Sequence, residues 1–342
     1  ADPNDPSKVY VTYISDPDGY MDIRIDTGDD PGGTYSNYPV ITRDGNYVFS
    51  AWQDARSGGA HGDVYFNRST DNGQTWGVSA IGPLDNTDTP GASNSLWIRI
   101  SSSGPYVYVV WEDYRAAGGV TDIYFNRSTD YGVTWQTEQN LSQYPSAHSG
   151  APYIASIGNY VYVAWNDLRN GSYDDIYINV SSSNGSSWSG SIRVDNGDTP
   201  GANLSRDARL ACTGSNVYCM WVDDRTGSYQ PHFNYSTNYG LNWQASSTML
   251  NAGTATWANM PLRDGLECSG NFVYACWLDD RSGRNEVYFN RSATAGISWA
   301  GEAKISDADS VCGDLSMNIQ GNNVYIGWTD IRMTGAPGGY DI

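Results

Sequence analysis

Positive charge is scarce in this 342-residue chain: 19 Lys and Arg stand against 38 Asp and Glu, a formal net charge of -19. Such a surface repels phosphate backbones and anionic lipid, so nucleic acid is not an expected partner and cations are the favoured counter-charges. Long apolar runs are missing too. No stretch approaches the roughly 20 residues a membrane-spanning helix needs, and no basic-then-apolar leader opens the chain, which therefore reads as mature. There is no Gly-rich phosphate loop after a strand, no Ser-His-Asp signature and no metal-type His/Cys spacing. Five cysteines leave at least one unpaired. Cys212 and Cys219 flank one hairpin turn and Cys268 and Cys276 flank its equivalent, so short intra-hairpin disulfides and buried free thiols both stand as readings. Leu, Lys and Glu are few, whereas Tyr, Thr, Val, Gly, Asn and Asp abound, the composition of strands and turns. Helix should be rare. The polar, Asp-rich, Lys-poor composition suits an extracellular or periplasmic solvent.

What is present is repetition. Asp122-Ile-Tyr-Phe-Asn-Arg-Ser-Thr-Asp-Tyr-Gly-Val-Thr-Trp135 reads as a strand, a tight turn and the start of the next strand. It is written again at Asp63 to Trp76 and in worn form at Asp175 to Trp188, Gln230 to Trp243 and Glu286 to Trp299. A second mark, Trp-x-Asp-x-Arg, closes an apolar strand six times: Trp52/Asp54/Arg56, Trp111/Asp113/Arg115, Trp165/Asp167/Arg169, Trp221/Asp223/Arg225, Trp277/Asp279/Arg281 and Trp328/Asp330/Arg332. Differences between successive Trp positions are 59, 54, 56, 56 and 51. Repeats of about 50 residues holding several short strands indicate propeller blades. Each repeat holds four strands, a to d; in the second, a covers Trp97 to Ile100, b Tyr106 to Trp111, c Asp122 to Ser128, and d begins at Trp135.

The chain ends set the blade count. Ile23-Arg-Ile-Asp-Thr-Gly-Asp-Asp-Pro-Gly32 matches Ile192-Arg-Val-Asp-Asn-Gly-Asp-Thr-Pro-Gly201, which makes residues 23 to 26 a strand d and Val9 to Ser15 a strand c. Leu315 to Ile319 and Asn323 to Trp328 are an a and a b, and the chain stops at Asp341-Ile342, where other repeats begin strand c. The expectation is one all-β domain over 1–342: a six-bladed β-propeller of four-stranded antiparallel blades. Its last blade is closed by both termini, 1–30 giving c and d and 315–342 giving a and b. Closure removes exposed sheet edges. Seven blades follow instead if residues 9 to 14 form a strand b.

The turn Ser69-Thr-Asp71-Asn-Gly73-Gln-Thr75-Trp76, intact again at Ser128-Thr-Asp130-Tyr-Gly132-Val-Thr134-Trp135, resembles the Asp-box, or BNR repeat, of the sialidase-like propellers. Asp and Ser can bond the turn amides, Gly takes positive φ, and Trp covers the hairpin. The resemblance implies that these boxes join strands c and d away from any pocket and are structural, Asp71 and Asp130 included. It also implies an Arg-Ile-Pro tripeptide in the first blade, whose Arg would grip a substrate carboxylate; here that place reads Asn37-Tyr38-Pro39. Comparable places read Gly150-Ala151-Pro152 and Asn259-Met260-Pro261. The family's Tyr with a Glu partner and its Asp acid/base in the first b–c loop find only Asp63 and His61, so a working exo-sialidase is disfavoured.

Arg56, Arg115, Arg169, Arg225, Arg281 and Arg332 sit in the b–c connections, each followed by an acid or amide at the start of strand c: Asp63, Asp122, Asp175, Gln230, Glu286 and Asp341. One reading is a guanidinium ring for acidic sugars; the other, favoured because all repeats share the pair, is a clamp. Acidic turns at Asp26/Asp29/Asp30, Asp85/Asp88 and Asp195/Asp198 precede Pro-Gly and suit calcium, although Asp, Asn, Gly and Pro are also ordinary turn formers. Residues outside the repeat are the better ligand candidates: Trp97, Trp257, His61 and His148, an exposed Trp being a natural sugar platform. His232 replaces a strand Tyr and reads as packed. Sequons at Asn67, Asn126, Asn179, Asn234 and Asn290 follow from the repeat and carry no glycosylation signal.

Three functions remain: a secreted module holding a glycan or extracellular protein without chemistry, a sialidase-like glycoside hydrolase, or a structural subunit of a surface assembly. For the hydrolase the candidate acid and base are Asp54 with Asp113, or Asp63 with Glu112. Their separation, roughly 5 Å for retention or 6.5–9.5 Å for inversion, would decide the stereochemistry.

Overall fold

The computed structural model describes residues 23–28, 34–58, 60–116, 119–144, 146–252, 258–259, 265–307, 310–321 and 323–332, without the side chains of 258, 259, 310, 331 and 332. The expected strand at 9–15, the closure by both termini, Asp29, Trp257 and the Arg332 side chain lie outside the described residues. No helix occurs among those described. Contacts divide the chain into two compact units, Ala1–Asn159 and Tyr160–Ile342.

In the first unit, β1 (Ser36–Asp44), β2 (Tyr47–Asp54) and β3 (Asp63–Ser69) form an antiparallel sheet in chain order. β4 (Ser95–Ser103), β5 (Tyr106–Asp113), β6 (Asp122–Ser128) and β7 (Gln139–Asn140) form a four-stranded one. β8 (Ser149–Ile157) packs against β4, with Ser101 and Ser156 hydroxyls 2.7 Å apart. Strand a is longer than the sequence indicated because polar Ser101 to Ser103 continue the ladder to the hairpin.

In the second unit, β9 (Tyr160–Asp167) pairs with β10 (Asp175–Ser181), and β10 with β11 (Ile192–Arg193). β12 (Ser205–Thr213), β13 (Asn216–Asp223), β14 (Gln230–Ser236) and β15 (Thr248–Met249) form a four-stranded sheet. β16 (Ala258–Asn259) and β17 (Leu266–Ser269) both pair with β18 (Phe272–Asp279), which continues to β19 (Glu286–Ser292) and β20 (Ala303–Lys304). β21 (Ser310–Gln320) pairs with β22 (Asn323–Arg332).

Packing between successive sheets explains the aromatic repeats. Phe49, Phe66, Leu84, Ile98, Val107 and Trp111 share one buried cluster that joins the first two sheets. In the turn after β3, the Ser69 hydroxyl accepts the Gly73 amide at 2.8 Å, and Asp71 accepts the Thr75 amide at 2.8 Å and its hydroxyl at 2.6 Å. Those bonds, from Ser69 first, pull the Asp71 carboxyl down to about 2. The turn after β6 repeats this through Ser128, Asp130 and Thr134. Its Trp135 meets Phe66 of the preceding sheet edge-on at 4.9 Å.

Gly132 must be glycine for two reasons: φ is 80°, and a Cβ would lie 2.5 Å from Phe66 Cζ. Gly132→Ala should therefore cost about 1–3 kcal/mol. Gly158→Ala, at φ 57° with open space around it, should cost less. Urea midpoints of the two variants check this, and equal midpoints would count against the packing argument.

Strand-c asparagines reach the preceding segment in the same way. Asn126 donates to Leu84 O at 2.8 Å, Asn234 to Val194 O at 2.9 Å and Asn290 to Leu250 O at 3.1 Å. Asn67 donates to Ile25 O at 2.8 Å, so residue 25 occupies the place that strand-d residues hold elsewhere. These amides are buried, which keeps the sequons from a glycosyl transferase in the folded chain. All five cysteines are free thiols. Cys212 and Cys219 lie two rungs apart in one hairpin, facing Val217 and Leu210 respectively, so the intra-hairpin bridge does not form.

Candidate functional site

Each of the first five Trp-x-Asp-x-Arg motifs is one hydrogen-bonded device. In the second repeat, Asp113 accepts the Trp111 indole N–H at 2.9 Å, the Arg115 amide at 2.9 Å, and Arg115 Nε and Nη2 at 2.8 and 2.6 Å. The guanidinium also reaches Glu138 at 2.6 Å and stacks 4.1 Å over Tyr124. Arg56 pairs with Asp54 at 2.5 Å and donates to Thr27 O and Asp26 O. Arg169 pairs with Asp167 and Ser191, Arg225 with Asp223 and the carbonyls of Asp195 and Asn196, and Arg281 with Asp279 and Glu302. Burial alone would raise Asp54, but bonds from Arg56 and Trp52 more than offset it and the carboxyl ends below the usual range. Asp223 is lowered by the same balance.

The carboxylates read as acid and base candidates are engaged as well. Asp54 and Asp113 are wholly buried in the clamps. Asp63 accepts the Gly91 amide at 2.9 and 3.1 Å, and burial, ahead of its other neighbours, raises its pKa. Glu112 is 3% exposed and accepts the Ala151 amide at 2.8 Å.

Several carboxylates of the acidic turns carry partners too. Asp85 accepts Val64 N at 3.2 Å and lies 2.7 Å from the Ser95 hydroxyl, while burial lifts its pKa to about 7. Ser95 Oγ is also 3.3 Å from Asp113, and Ser95 has one proton. A protonated Asp85 donating to Ser95, which then donates to ionised Asp113, satisfies all three groups. Asp88 bonds Ser93 and Thr89 N. Arg193 pairs with Asp195 at 2.7 Å and with Asp198 and Asp175, Asn203 also bonds Asp198, and Asp26 pairs with Arg24 at 2.7 Å. Among the described residues no group of three or more His, Cys, Asp or Glu is arranged to hold a metal.

The feature sequence reasoning missed is a β-bulge in the leading strand. The register slips between Asn37 and Val40, Leu96 and Arg99, Arg206 and Arg209, and Gly313 and Ser316. In each bulge a non-glycine residue is left-handed: Tyr38 (φ 54°), Trp97 (52°), Asp207 (59°) and Asp314 (40°), with Ala151 (49°) at the same place in β8. Such strain concentrates at functional positions. It turns Tyr38 and Trp97 outward, 65% and 45% exposed. The middle residue of Trp-x-Asp fastens the next bulge: Glu112 takes the Ala151 amide, and Asn166 takes the Asp207 amide at 3.1 Å.

Around Glu112 the first unit gathers further groups. Tyr114 is half exposed, and burial, then the charge and hydrogen bond of Glu112, raise its phenol to about 12. His148 Nε2 and Glu112 Oε2 both lie within 3.0 Å of where a Gly150 Cβ would be. Thr121 gives its one proton to Ser149 O at 2.8 Å and therefore accepts from His148 Nδ1 at 2.5 Å. The structure does not bring His61 into this group; it is half-buried beside Gly62, whose amide bonds Asn94. His232 is buried, bonds Ser247, and is held down to about 4 by desolvation. In the second unit Arg206 stands one place before a bulge residue, 3.6 Å from Asp207 and 4.7 Å over Tyr229, outside the clamps. The signal for Tyr114 and Glu112 was there: the two x positions of Trp-x-Asp-x-Arg vary while the rest holds.

No family model matches the sequence, and no curated protein matches it significantly. Solved structures do match in fold. The intramolecular trans-sialidase of Ruminococcus gnavus aligns with TM-score 0.55 at 12% identity, over 86% of this chain and 90% of that one. A Streptococcus pneumoniae sialidase gives 0.56 at 11%, over 90% and 66%, and a Penicillium chrysogenum alpha-L-arabinanase 0.53 at 12%, over 90% and 92%. At such identities the likeness shows the fold alone, that of the sialidase-like β-propellers.

Proposed function

We propose that this sialidase-like propeller is a carbohydrate-binding module that holds a glycan on the leading-strand aromatics of its first unit without cleaving it. The observation that carries the reading is Trp97, held half exposed by a left-handed bulge, beside carboxylates that are all already paired. An indole face is a low-entropy platform for a sugar ring. Hydrolysis needs one carboxyl free to donate and another free to attack or deprotonate. Asp54, Asp63 and Asp113 have neither freedom. Tyr114 beside Glu112 is the one pairing that favours a hydrolase, yet a phenol pushed up to about 12 stays protonated and is a poor nucleophile. The structures that share this fold include sialidases and an arabinanase, which supports a sugar as ligand class.

The expected result is binding on a glycan panel that weakens at least about tenfold in Trp97→Ala, with unchanged unfolding and no release of reducing sugar. Turnover that Glu112→Gln abolishes would overturn the binding-only reading. The same proposal places the chain outside the cytoplasm, on composition, and gives it six blades. Residue 25 standing in a strand-d place supports that count, as does β22 standing as a strand b whose partner c is expected at 9–15. Pairing of 9–15 with any strand other than β22 would refute it.

A further inference from the structure

The five bulge positions are not equally filled. Tyr38 and Trp97 project large rings, Asp207 and Asp314 carboxylates, but Ala151 only a methyl. A notch is therefore left where β8 meets β5, and the groups that border it have one electrostatic character. Tyr114 gives its phenol proton to Glu112, which leaves the Tyr114 oxygen as an acceptor. His148 in its neutral form carries its proton on Nδ1, since Thr121 can only accept there, so Nε2 is a bare lone pair. Behind both lies the buried Glu112 carboxylate. Gly150 permits the convergence, because any Cβ there would collide with Glu112 Oε2 at 2.6 Å. Trp97 stands on the rim, next to Leu96, the residue paired with Glu112.

The cations that could reverse this character are otherwise occupied. Arg115 is locked to Asp113 and Glu138, and Arg99 donates to Ile98 O and lies 6.0 Å over the Tyr153 ring. The chain as a whole carries a net charge of -19, which disfavours an anionic guest at any surface recess.

We infer that the Ala151 notch selects a sugar bearing a protonated amine, with the ammonium group donating to Tyr114 Oη and His148 Nε2 in front of Glu112 and the ring lying on Trp97. Acceptors alone cannot satisfy an acidic sugar, whose carboxylate needs donors, whereas an ammonium brings three donors and a charge opposite to that of Glu112. The adjacent indole face adds cation–π attraction. The inference rests on the carbohydrate reading above and deepens it to a substrate class.

The test titrates the protein with a β-1,4-linked glucosamine tetramer and with its fully N-acetylated counterpart at neutral pH and low salt, following Trp fluorescence and heat. The amine form should bind at least about tenfold more tightly. Glu112→Gln, which retains an acceptor for the Ala151 amide, should erase that preference. Ala151→Tyr, a side chain that the equivalent left-handed position already carries at Tyr38, should block both tetramers without altering the unfolding curve. Equal or tighter binding of the N-acetylated or a glucuronate-containing oligomer, lost in Trp97→Ala, would overturn the amine selectivity and leave the glycan reading standing. Binding of no oligosaccharide would overturn both.

Discussion

Asp113→Ala is expected to lower the unfolding free energy by about 3–5 kcal/mol, the usual cost of deleting one partner from a buried ion pair. The carboxylate is wholly buried and satisfies four donors: the Trp111 indole, the Arg115 amide and two guanidinium nitrogens. Its removal strands Arg115 beside Glu138 and leaves a fully buried indole N–H without its acceptor, so the loss exceeds that of one surface bridge, for which about 0–1 kcal/mol is typical. Arg115→Met should cost less than Asp113→Ala, because a side chain of similar length still covers Tyr124 and the buried charge left behind keeps two N–H donors. Denaturant unfolding of both variants reads the difference. A loss below 1 kcal/mol for Asp113→Ala would mean that the clamp is decoration and that its six-fold recurrence needs another cause.

At Asp85 the expected effect has the opposite sign. Its folded pKa of about 7 lies above the ordinary carboxyl value of 3.8, so the folded state holds a proton that the unfolded chain gives up. Stability from this group is fully present below about pH 4 and is lost as pH rises through 7, by an amount on the order of 4 kcal/mol. Asparagine copies the protonated acid: its oxygen can accept Val64 N–H and its amide can donate to Ser95. Asp85→Asn should therefore match the wild type near pH 3.8 and below, and exceed it by a growing margin up to about pH 7 and beyond. The carboxyls held low work against this at the acid end. Asp54 and Asp223, lowered in their clamps, stabilise above the unfolded value and lose that contribution as pH falls through their folded values. The wild type should be most stable in mild acid. A variant equally weakened at both ends of that range would show that Asp85 is needed as a carboxylate and would remove the Asp85–Ser95–Asp113 proton relay.

The solved neighbours sharpen the contrast between scaffold and site. A shared fold at 11–12% identity means that the strand periods and turns are kept while most side chains are free to differ, and function resides in sites placed on such a fold. Among the described residues the guanidinium groups of Arg56, Arg115, Arg169, Arg225 and Arg281 are turned inward onto carboxylates, while Tyr38 and Trp97 stand exposed.

The sequence by itself determined the strands, their antiparallel order and the turns, because each is a short-range consequence of alternating β-formers punctuated by Ser, Asp and Gly. Ser69, Asp71 and Gly73 bond one another within five residues, and Trp111, Asp113 and Arg115 within another five, so repetition alone made both devices legible. What only the tertiary structure decided was which groups meet. A bulge shifts register by one residue without any mark in composition, so the outward turn of Trp97 and the small Ala151 could not be read from their neighbours. The convergence of Glu112, Tyr114 and His148 spans two strands and a loop, and it depends on Gly150 leaving room that no local pattern records. Ladder register and hydrogen-bond geometry likewise decided that Cys212 and Cys219, two rungs apart, stay thiols and that Asp85, Asp88 and Asp198 are already answered by donors. Local propensity writes the ladder; long-range packing alone chooses which side chains face one another across it.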